Sequence, residues 1–215
     1  MNEHQLENVK EQKDLGVTID YKLKFHTHTS AAIKKANKIL GLIKRSFTSL
    51  DETTLPVLYT SMVRPHLEYG NVIWGPHFME DIKAVERVQK RATRIIPRLR
   101  ALPYIKRLET LNLPSLTYRR KRGDMIMLYK IMTNKINIKK EMLFTLNERE
   151  SMGHSQKIRK EKRASKLPRC QTFSSRAIDN WNSLPSTVVQ AKTIIEFKSL
   201  LDEHWINIKF ESPYM

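Results

Sequence analysis

Apolar residues recur every three or four positions along most of the chain, which is the spacing of amphipathic α-helices. The first such segment begins after Phe25, with apolar residues on one face and lysine or arginine around the rest of the helix. A second apolar face follows at residues 55–62, and we expect Pro65 to break or kink that helix because proline has no backbone N–H. The pattern predicts two further helices, at residues 78–96, ending at Pro97, and at residues 116–133.

The C-terminal part of the chain contains two more helical segments. A short helix is predicted at residues 173–181, ending before Pro185. Thr193 and Glu196 then have the spacing of a capping box, in which a hydroxyl and a carboxylate bind the free backbone N–H groups at a helix start. This motif predicts a final helix with three large apolar residues on or near one face, Phe197, Leu201 and Trp205.

The N-terminal segment has a different period. Residues 15–20 are rich in β-branched side chains and alternate in polarity, which predicts a β-strand, alone or in a hairpin with residues 6–10. An isolated hairpin is only marginally stable, so the strand is expected to need neighbouring structure. The predicted fold class is therefore mainly α, a helical bundle with a short N-terminal β-strand or hairpin and a small C-terminal helical module.

Residues 147–170 interrupt the helical pattern. They contain few apolar residues and many basic ones, among them Lys157, Arg159, Lys160, Lys162, Arg163, Lys166 and Arg169. Such a composition is typical of an exposed linker or arm. The predicted organisation is a strand segment at 1–24, a helical region at 25–146, a basic linker at 147–170 and a C-terminal helical module at 171–215.

The overall charge indicates the class of partner. The 215 residues include 39 Lys and Arg against 22 Asp and Glu, giving a formal net charge of +17. Such a charge indicates an acidic polymer as the binding partner, and we prefer nucleic acid to an anionic membrane. No apolar run reaches the roughly 20 residues of a membrane-spanning helix, and the expected location is intracellular, nuclear or cytoplasmic. The single cysteine, Cys170, excludes an internal disulfide and a C-x-x-C zinc site.

The helix predicted at residues 78–96 separates its charges from its apolar residues. At 100° per residue, Lys83, Arg87, Lys90 and Arg94 fall within about 60° of one another, and the valines and Ala92 face the opposite side. The stripe rises roughly 16 Å, enough to follow some four or five phosphates of a nucleic-acid strand. The alternative is that this stripe is simply a solvated face.

The wider segment favours the nucleic-acid interpretation. Residues 81–135 contain fifteen Lys or Arg against four acids, Asp81, Glu86, Glu109 and Asp124. An excess of one sign costs self-repulsion unless a polyanion offsets it. The run at residues 119–122 could also be a nuclear-localisation patch, or its side chains could lie over the apolar face. The predicted nucleic-acid-binding residues are Lys83, Arg87, Lys90, Arg91, Arg94, Arg119, Arg120, Lys121 and Arg122.

No constellation of residues indicates catalysis. Polymerases hold two metal ions between carboxylates, and the chain has no Asp-Asp pair. His26 and His28 would share a face in a strand and could bind a metal, but a third ligand is missing and we favour surface histidines. There is no Gly-x-Ser-x-Gly frame and no glycine-rich phosphate loop. We therefore expect no catalytic residues, no metal site and no cofactor in this chain.

Several segments resemble a known family when taken in order. They are 14–20 (DLGVTID), 36–45 (ANKILGLIKR), 58–74, 89–94 (QKRATR), 108–113, 120–124 and 173–185. The succession resembles the last palm strand, thumb and post-thumb region of reverse transcriptases from LINE-type (non-LTR) retrotransposons. The resemblance covers most of the chain, from about Lys13 to Trp205.

The resemblance implies a thumb-like helical bundle that grips a primer–template duplex of RNA, DNA or hybrid through its basic helices. The endonuclease, fingers and catalytic palm of such enzymes should lie upstream of Met1. The chain is therefore expected to be a truncated copy or gene fragment of an RNA-directed DNA polymerase. It would be non-catalytic alone, because magnesium binds in the palm of the intact enzyme. A separate palm and fingers polypeptide is a candidate partner.

Two other functions remain open. A stand-alone basic helical module derived from such an element would bind RNA or DNA and share every local feature. A protein-adaptor module would instead use the aromatic platform at residues 59–74 for protein contacts. For the platform itself, we expect Tyr69 and Trp74 to be largely buried against Leu58, Met62 and the apolar face of the basic helix.

Overall fold

A computed structural model describes residues 9–147, 154–160 and 171–213. The chain begins, in this described part, with a β-hairpin. Strands β1 (Glu11–Asp14) and β2 (Val17–Asp20) pair antiparallel around a two-residue turn. Leu15 and Gly16 have φ values of 44° and 85°. Two-residue hairpin turns of type I′ need positive φ at both positions to match the twist of the flanking strands. The expected strand at 15–20 therefore begins two residues late. Its partner is β1 rather than residues 6–10, of which residues 6–8 lie outside the described part.

Helices account for most of the remaining chain, which confirms the predicted mainly α fold class. Short 3₁₀ turns, among them Pro97–Leu99, Lys140–Met142 and Ile206–Ile208, connect or follow them. In chain order the helices are α1 (His26–Ser46), α2 (Thr54–Leu58), α3 (Arg64–Glu68), α4 (Asn71–Trp74), α5 (Met79–Ala92), α6 (Tyr104–Thr110), α7 (Leu116–Met132), α8 (Phe173–Asn182), α9 (Ser186–Val189) and α10 (Ile194–His204).

The disturbance expected at Pro65 is a π-helical turn. This turn, Tyr59–Val63, joins α2 to α3, so that helical backbone continues through the proline. Wider turns of this kind accommodate a missing backbone donor without ending the helix. The hydroxyls of Thr60 and Ser61 donate to the Val57 carbonyl over 3.1 and 2.7 Å, which supplies that oxygen with side-chain donors.

Among the described residues, two main apolar cores meet at α7. The first joins α1, the helical stretch from α2 to α3, α5, α6 and the start of α7, with Tyr59, Leu67 and Leu108 fully buried. The second joins the rest of α7 to α8, α9 and α10, and includes Trp181 and Phe197. The C-terminal helical module therefore shares its core with α7, which is the element common to both cores.

Side-chain caps lie at the starts of α10 and α7. Thr193 accepts the backbone N–H of Glu196 over 3.1 Å, and the Glu196 carboxylate reaches back to the N–H of Lys192 over 2.7 Å. This confirms the predicted start of α10. Ser115 caps α7 in the same way by accepting the N–H of Tyr118 over 3.1 Å.

Part of the expected basic linker is packed rather than exposed. His154 and Ile158 are buried, and the side chain of Asn182 both donates to and accepts from the Ile158 backbone, over 2.8 and 2.9 Å. The expectation of an exposed arm is thus wrong for His154 and Ile158, of which Ile158 adds an apolar side chain to the second core, whereas Ser155, Arg159 and Lys160 are exposed. Residues 148–153 and 161–170 lie outside the described part.

Trp74 lies in a small third core with Val17 and Phe25. Its indole N–H donates to the Tyr69 carbonyl over 2.6 Å. The His28 ring lies steeply inclined to the indole, with 4.7 Å between the ring centres. The predicted burial of Trp74 is confirmed, but its surroundings are the hairpin and the start of α1, while Val85 and Ala92 belong to the first core. Tyr69 was expected to be buried and is 59% exposed, because its ring lies over the hairpin turn and its hydroxyl donates to Leu15.

Candidate nucleic-acid interface

Helix α5 places its basic and apolar residues on opposite sides, as the sequence predicts. Val85, Val88 and Ala92 are buried in the first core. Arg87 and Arg91 are exposed, whereas Lys83 and Lys90 are half-buried. The Lys90 ammonium stands 5.9 Å from the centre of the Tyr104 ring. The most exposed cations of α5 are therefore its arginines.

The helix ends at Ala92, four residues before the predicted end. Ile96 has extended backbone (φ −71°, ψ 116°), the conformation favoured before a proline, and Pro97 follows it. Between Ala92 and Ile96 the chain forms tight turns, in which the N–H of Arg94 donates to the Arg91 carbonyl over 3.1 Å. Arg94 is exposed, but its direction is set by this turn and not by the helical projection.

A groove of about 670 Å³ separates the C-terminal half of α1 from the end of α5. We call it the basic groove. Among the described residues, its lining includes four cations and no acid. The lining residues are Asn37, Leu40, Gly41, Lys44, Arg91, Arg94, Ile95 and Arg100.

Two hydrogen bonds hold arginines at this groove. The Arg91 guanidinium donates to the Asn37 side-chain oxygen over 2.8 Å, which links α5 to α1. The Nε of Arg100 donates to the Arg94 carbonyl over 3.1 Å, beyond the end of α5. Each bond uses only part of a guanidinium, which has five N–H donors. Gly41 leaves open space at the groove, since a Cβ there would meet no atom within 4 Å.

The side of α5 that faces α7 is polar, which the apolar periodicity did not indicate. Glu86 and Gln89 are fully buried. Glu86 accepts the Tyr104 hydroxyl over 2.7 Å and the Leu116 N–H over 3.0 Å, and Gln89 accepts the Tyr59 hydroxyl over 2.9 Å. Burial raises the pKa of Glu86, while the hydrogen bonds from Tyr104 and Leu116 and the charge of Arg120 oppose the rise. The sequence signal was an acid and an amide beside a valine-rich face.

The basic run on α7 is tied into the fold rather than displayed as a patch. The Arg119 guanidinium forms a two-pronged pair with Glu68 on α3, one prong being 2.8 Å long. Arg122 pairs in the same way with Asp202 on α10, over 2.5 and 2.7 Å. Arg120 is buried and Lys121 is half-exposed. Within this run, Arg119 and Arg122 are the residues that form ion pairs in the part of the chain that is described.

His26 and His28 are in a helix and not in a strand. Both lie in the first turn of α1, so they point in different directions. His26 Nδ1 is 2.5 Å from an Asp81 carboxylate oxygen, while His28 is buried and its Nδ1 accepts the Thr18 N–H over 3.2 Å. The expectation of a surface residue is wrong for His28, because the hairpin covers it. In the part of the chain that is described, no group of three or more His, Cys, Asp or Glu could hold a metal ion.

Comparison with known proteins adds no relative. No family model, no curated protein and no solved structure matches the chain. Within the described ranges, none of the helices has both the length and the apolar character needed to cross a bilayer.

Proposed function

We propose that this protein binds nucleic-acid duplexes through the basic groove and the exposed arginines of α5. The observation that carries the proposal is the groove itself, where Lys44, Arg91, Arg94 and Arg100 converge with no acid among the described lining residues. Opposite charges would be expected to alternate on a surface that serves solubility alone. Here four cations from three segments share one depression, which suits a phosphate backbone.

The geometry favours contacts to phosphates over contacts to bases. Guanidinium groups bind phosphate oxygens in a two-pronged manner, and Arg91 and Arg100 keep donors free of their intramolecular bonds. Exposed Arg87 extends the cationic surface along α5 from the groove. Contacts of this kind fix the position of a duplex and carry little sequence information. We therefore expect binding that depends strongly on salt and weakly on base sequence.

The resemblance to LINE-type reverse transcriptases supports the same function. The proposal is that this region acts as the thumb does in those polymerases, holding a primer–template duplex, without polymerase chemistry of its own. The segment 36–45, which carries part of the resemblance, forms the α1 side of the basic groove. The segment 89–94 forms its α5 side.

Gly41 offers a direct test, because new side chains there enter open space at the groove. Replacing glycine inside a helix stabilises it by about 0.5–1 kcal/mol, so neither of two matched variants should unfold the protein. Gly41→Glu adds a carboxylate beside the groove arginines, and Gly41→Gln adds a neutral side chain of the same length. We expect Gly41→Glu to weaken binding to DNA, RNA and hybrid duplexes by about tenfold relative to Gly41→Gln.

The measurement is fluorescence anisotropy with labelled duplexes of two unrelated sequences at 0.15 M salt. Equal affinities for the two variants would place the binding surface elsewhere and overturn the assignment of the groove. A large difference between the two base sequences would contradict recognition through phosphates.

A further inference from the structure

Among the described residues, the hairpin has one covered edge and one open edge. Thr18 on β2 donates its N–H to His28 Nδ1, so α1 covers the outer edge of β2. All four residues of β1 are exposed. Sheet edges with unpaired backbone groups are templates for pairing with another strand.

The hydrogen-bonding pattern identifies which backbone groups of β1 point outward. Tyr21 donates its N–H to the Lys10 carbonyl, so this pair is hydrogen-bonded across the hairpin. Because hydrogen-bonded and non-hydrogen-bonded pairs alternate, Gln12 and Asp14 also bond to β2. The N–H and C=O groups of Glu11 and Lys13 therefore face away from the hairpin.

The side chains of this edge are complementary to themselves when the strand is reversed. If two copies of β1 pair antiparallel about Gln12, Glu11 stands opposite Lys13 of the second copy, and Lys10 stands opposite Asp14. Gln12 then meets Gln12 on the two-fold axis. In this register Glu11 and Lys13 form the hydrogen-bonded pairs, which matches their outward backbone groups.

We propose that the protein self-associates through β1, forming a four-stranded antiparallel sheet across two copies. The strand from Lys10 to Asp14 has two lysines, one glutamate and one aspartate, so it is a neutral edge in a chain of net charge +17. Val9 and Leu15, which are 54% and 83% exposed, flank the strand and come to face each other across the pair. This inference does not depend on nucleic-acid binding.

The interface is small, and it predicts a reversible dimer rather than a permanent one. Opposite charges directly across a strand pair are stabilising and like charges are destabilising. Changing Glu11→Lys, or changing Lys13→Glu, places like charges opposite each other twice. We expect each variant to raise the dimer dissociation constant by at least about tenfold.

Mixing the variants gives a test that misfolding cannot imitate. Glu11→Lys presents only lysines at these two positions and Lys13→Glu only glutamates, so an equimolar mixture should re-form a heterodimer. The double variant carrying both changes should dimerise with itself again. Thr27→Val is the control, because it removes only the Thr27 hydroxyl bond to Glu11, which is 2.6 Å long.

The experiment is sedimentation velocity on the nucleic-acid-free full chain at 0.15 M salt, over a range of protein concentrations. A second measurement uses Gln12→Cys in a Cys170→Ser background, since non-hydrogen-bonded partners lie close enough for a disulfide. We expect oxidation to give a covalent dimer. A strictly monomeric wild type, or single variants that dimerise as well as the wild type, would overturn the proposal.

Discussion

The carboxylate of Glu86 lies buried under the N-terminus of α7, where it accepts the backbone N–H of Leu116 over 3.0 Å. A helix start has free N–H groups and a partial positive charge, so a carboxylate is a favourable neighbour. Glu86 thereby couples α5, which presents the basic surface, to α7, which joins the two main cores. Tyr104 donates to the same carboxylate and adds α6 to this junction.

This relationship predicts a large effect of removing the carboxylate. Glu86→Ala should lower the free energy of unfolding by about 3–5 kcal/mol, because it leaves the buried Tyr104 hydroxyl and the Leu116 N–H without their acceptor and removes one of the carboxylates that offset buried Arg120. Glu86→Gln should cost less, since one amide oxygen can still accept the Leu116 N–H. Urea denaturation measures both values, and a Glu86→Ala variant as stable as the wild type would contradict the buried junction.

Trp74 is expected to hold the hairpin on the helices. Trp74→Ala should cost roughly 3–5 kcal/mol of stability by opening a cavity beside Val17 and Phe25. Trp74→Phe is the matched variant, since it keeps an aromatic ring but loses the N–H bond to Tyr69, and its loss should be smaller. Thermal denaturation distinguishes the two, and an unchanged melting temperature for Trp74→Ala would show that the residue is not part of a core.

The contact between His28 and Thr18 predicts a pH dependence of stability. Burial, and secondarily the charge of Lys13, lower the pKa of His28 below its usual value near 6.5. The folded state disfavours the protonated ring, so neutral His28 contributes to the free energy of unfolding. This contribution is fully present above about pH 6.5 and decreases as the pH falls toward the folded-state pKa. Protonation also removes the acceptor for the Thr18 N–H.

His28→Asn should therefore make stability less dependent on pH between about 7 and 5, since an amide oxygen accepts the same bond without titrating. Denaturant titrations of wild type and variant across this range test the point. His66, His77 and His154 also have lowered pKa values through burial, so part of the slope should remain in the variant. Parallel curves for the two proteins would exclude His28 as a contributor.

The ion pairs of Arg119 and Arg122 predict structural rather than binding effects. Replacing either residue with glutamine should lower the free energy of unfolding by about 1.5–3 kcal/mol, because each guanidinium makes two charge-assisted bonds. Lys121→Gln is the control within the same run and should leave stability nearly unchanged. If Arg119→Gln or Arg122→Gln instead reduced affinity for duplexes at unchanged stability, these arginines would belong to the nucleic-acid surface.

The helices could be predicted because their apolar periodicity and caps are local. Thr193 and Glu196 gave the start of α10, and the apolar pattern gave α7 within one residue of its observed end. Element ends that depend on backbone geometry were harder to place. The hairpin turn at Gly16 lies inside the segment predicted as a strand. Helix α5 ends earlier than the apolar pattern indicated, and the residue before Pro97 has extended backbone.

The candidate site could be predicted only in part, because it depends on tertiary pairing. The basic side of α5 followed from its helical angles, but Arg94 lies beyond the helix end. The junction with α1 could not be predicted, since Lys44 and Arg91 lie 47 positions apart in sequence. The same limit applies to the run at residues 119–122. Glu68 and Asp202, which bind Arg119 and Arg122, are 51 and 80 residues distant.

The central claim is that the cations of the basic groove contact phosphates. Each such contact releases about 0.9 counterion on a duplex. Replacing Lys44, Arg91, Arg94 and Arg100 with glutamine should therefore flatten the plot of log affinity against log salt by about three to four units. The matched control replaces four exposed cations elsewhere, Lys135, Lys139, Arg159 and Lys192, so that both variants lose the same net charge.

Anisotropy titrations from 0.05 to 0.3 M salt, on DNA, RNA and hybrid duplexes, give the slopes directly. We expect the control to keep the wild-type slope within about one unit and the groove variant to lose most of it. If the groove variant kept the wild-type affinity and slope on all three duplexes, the groove would be a solvated surface and the proposed function would be wrong.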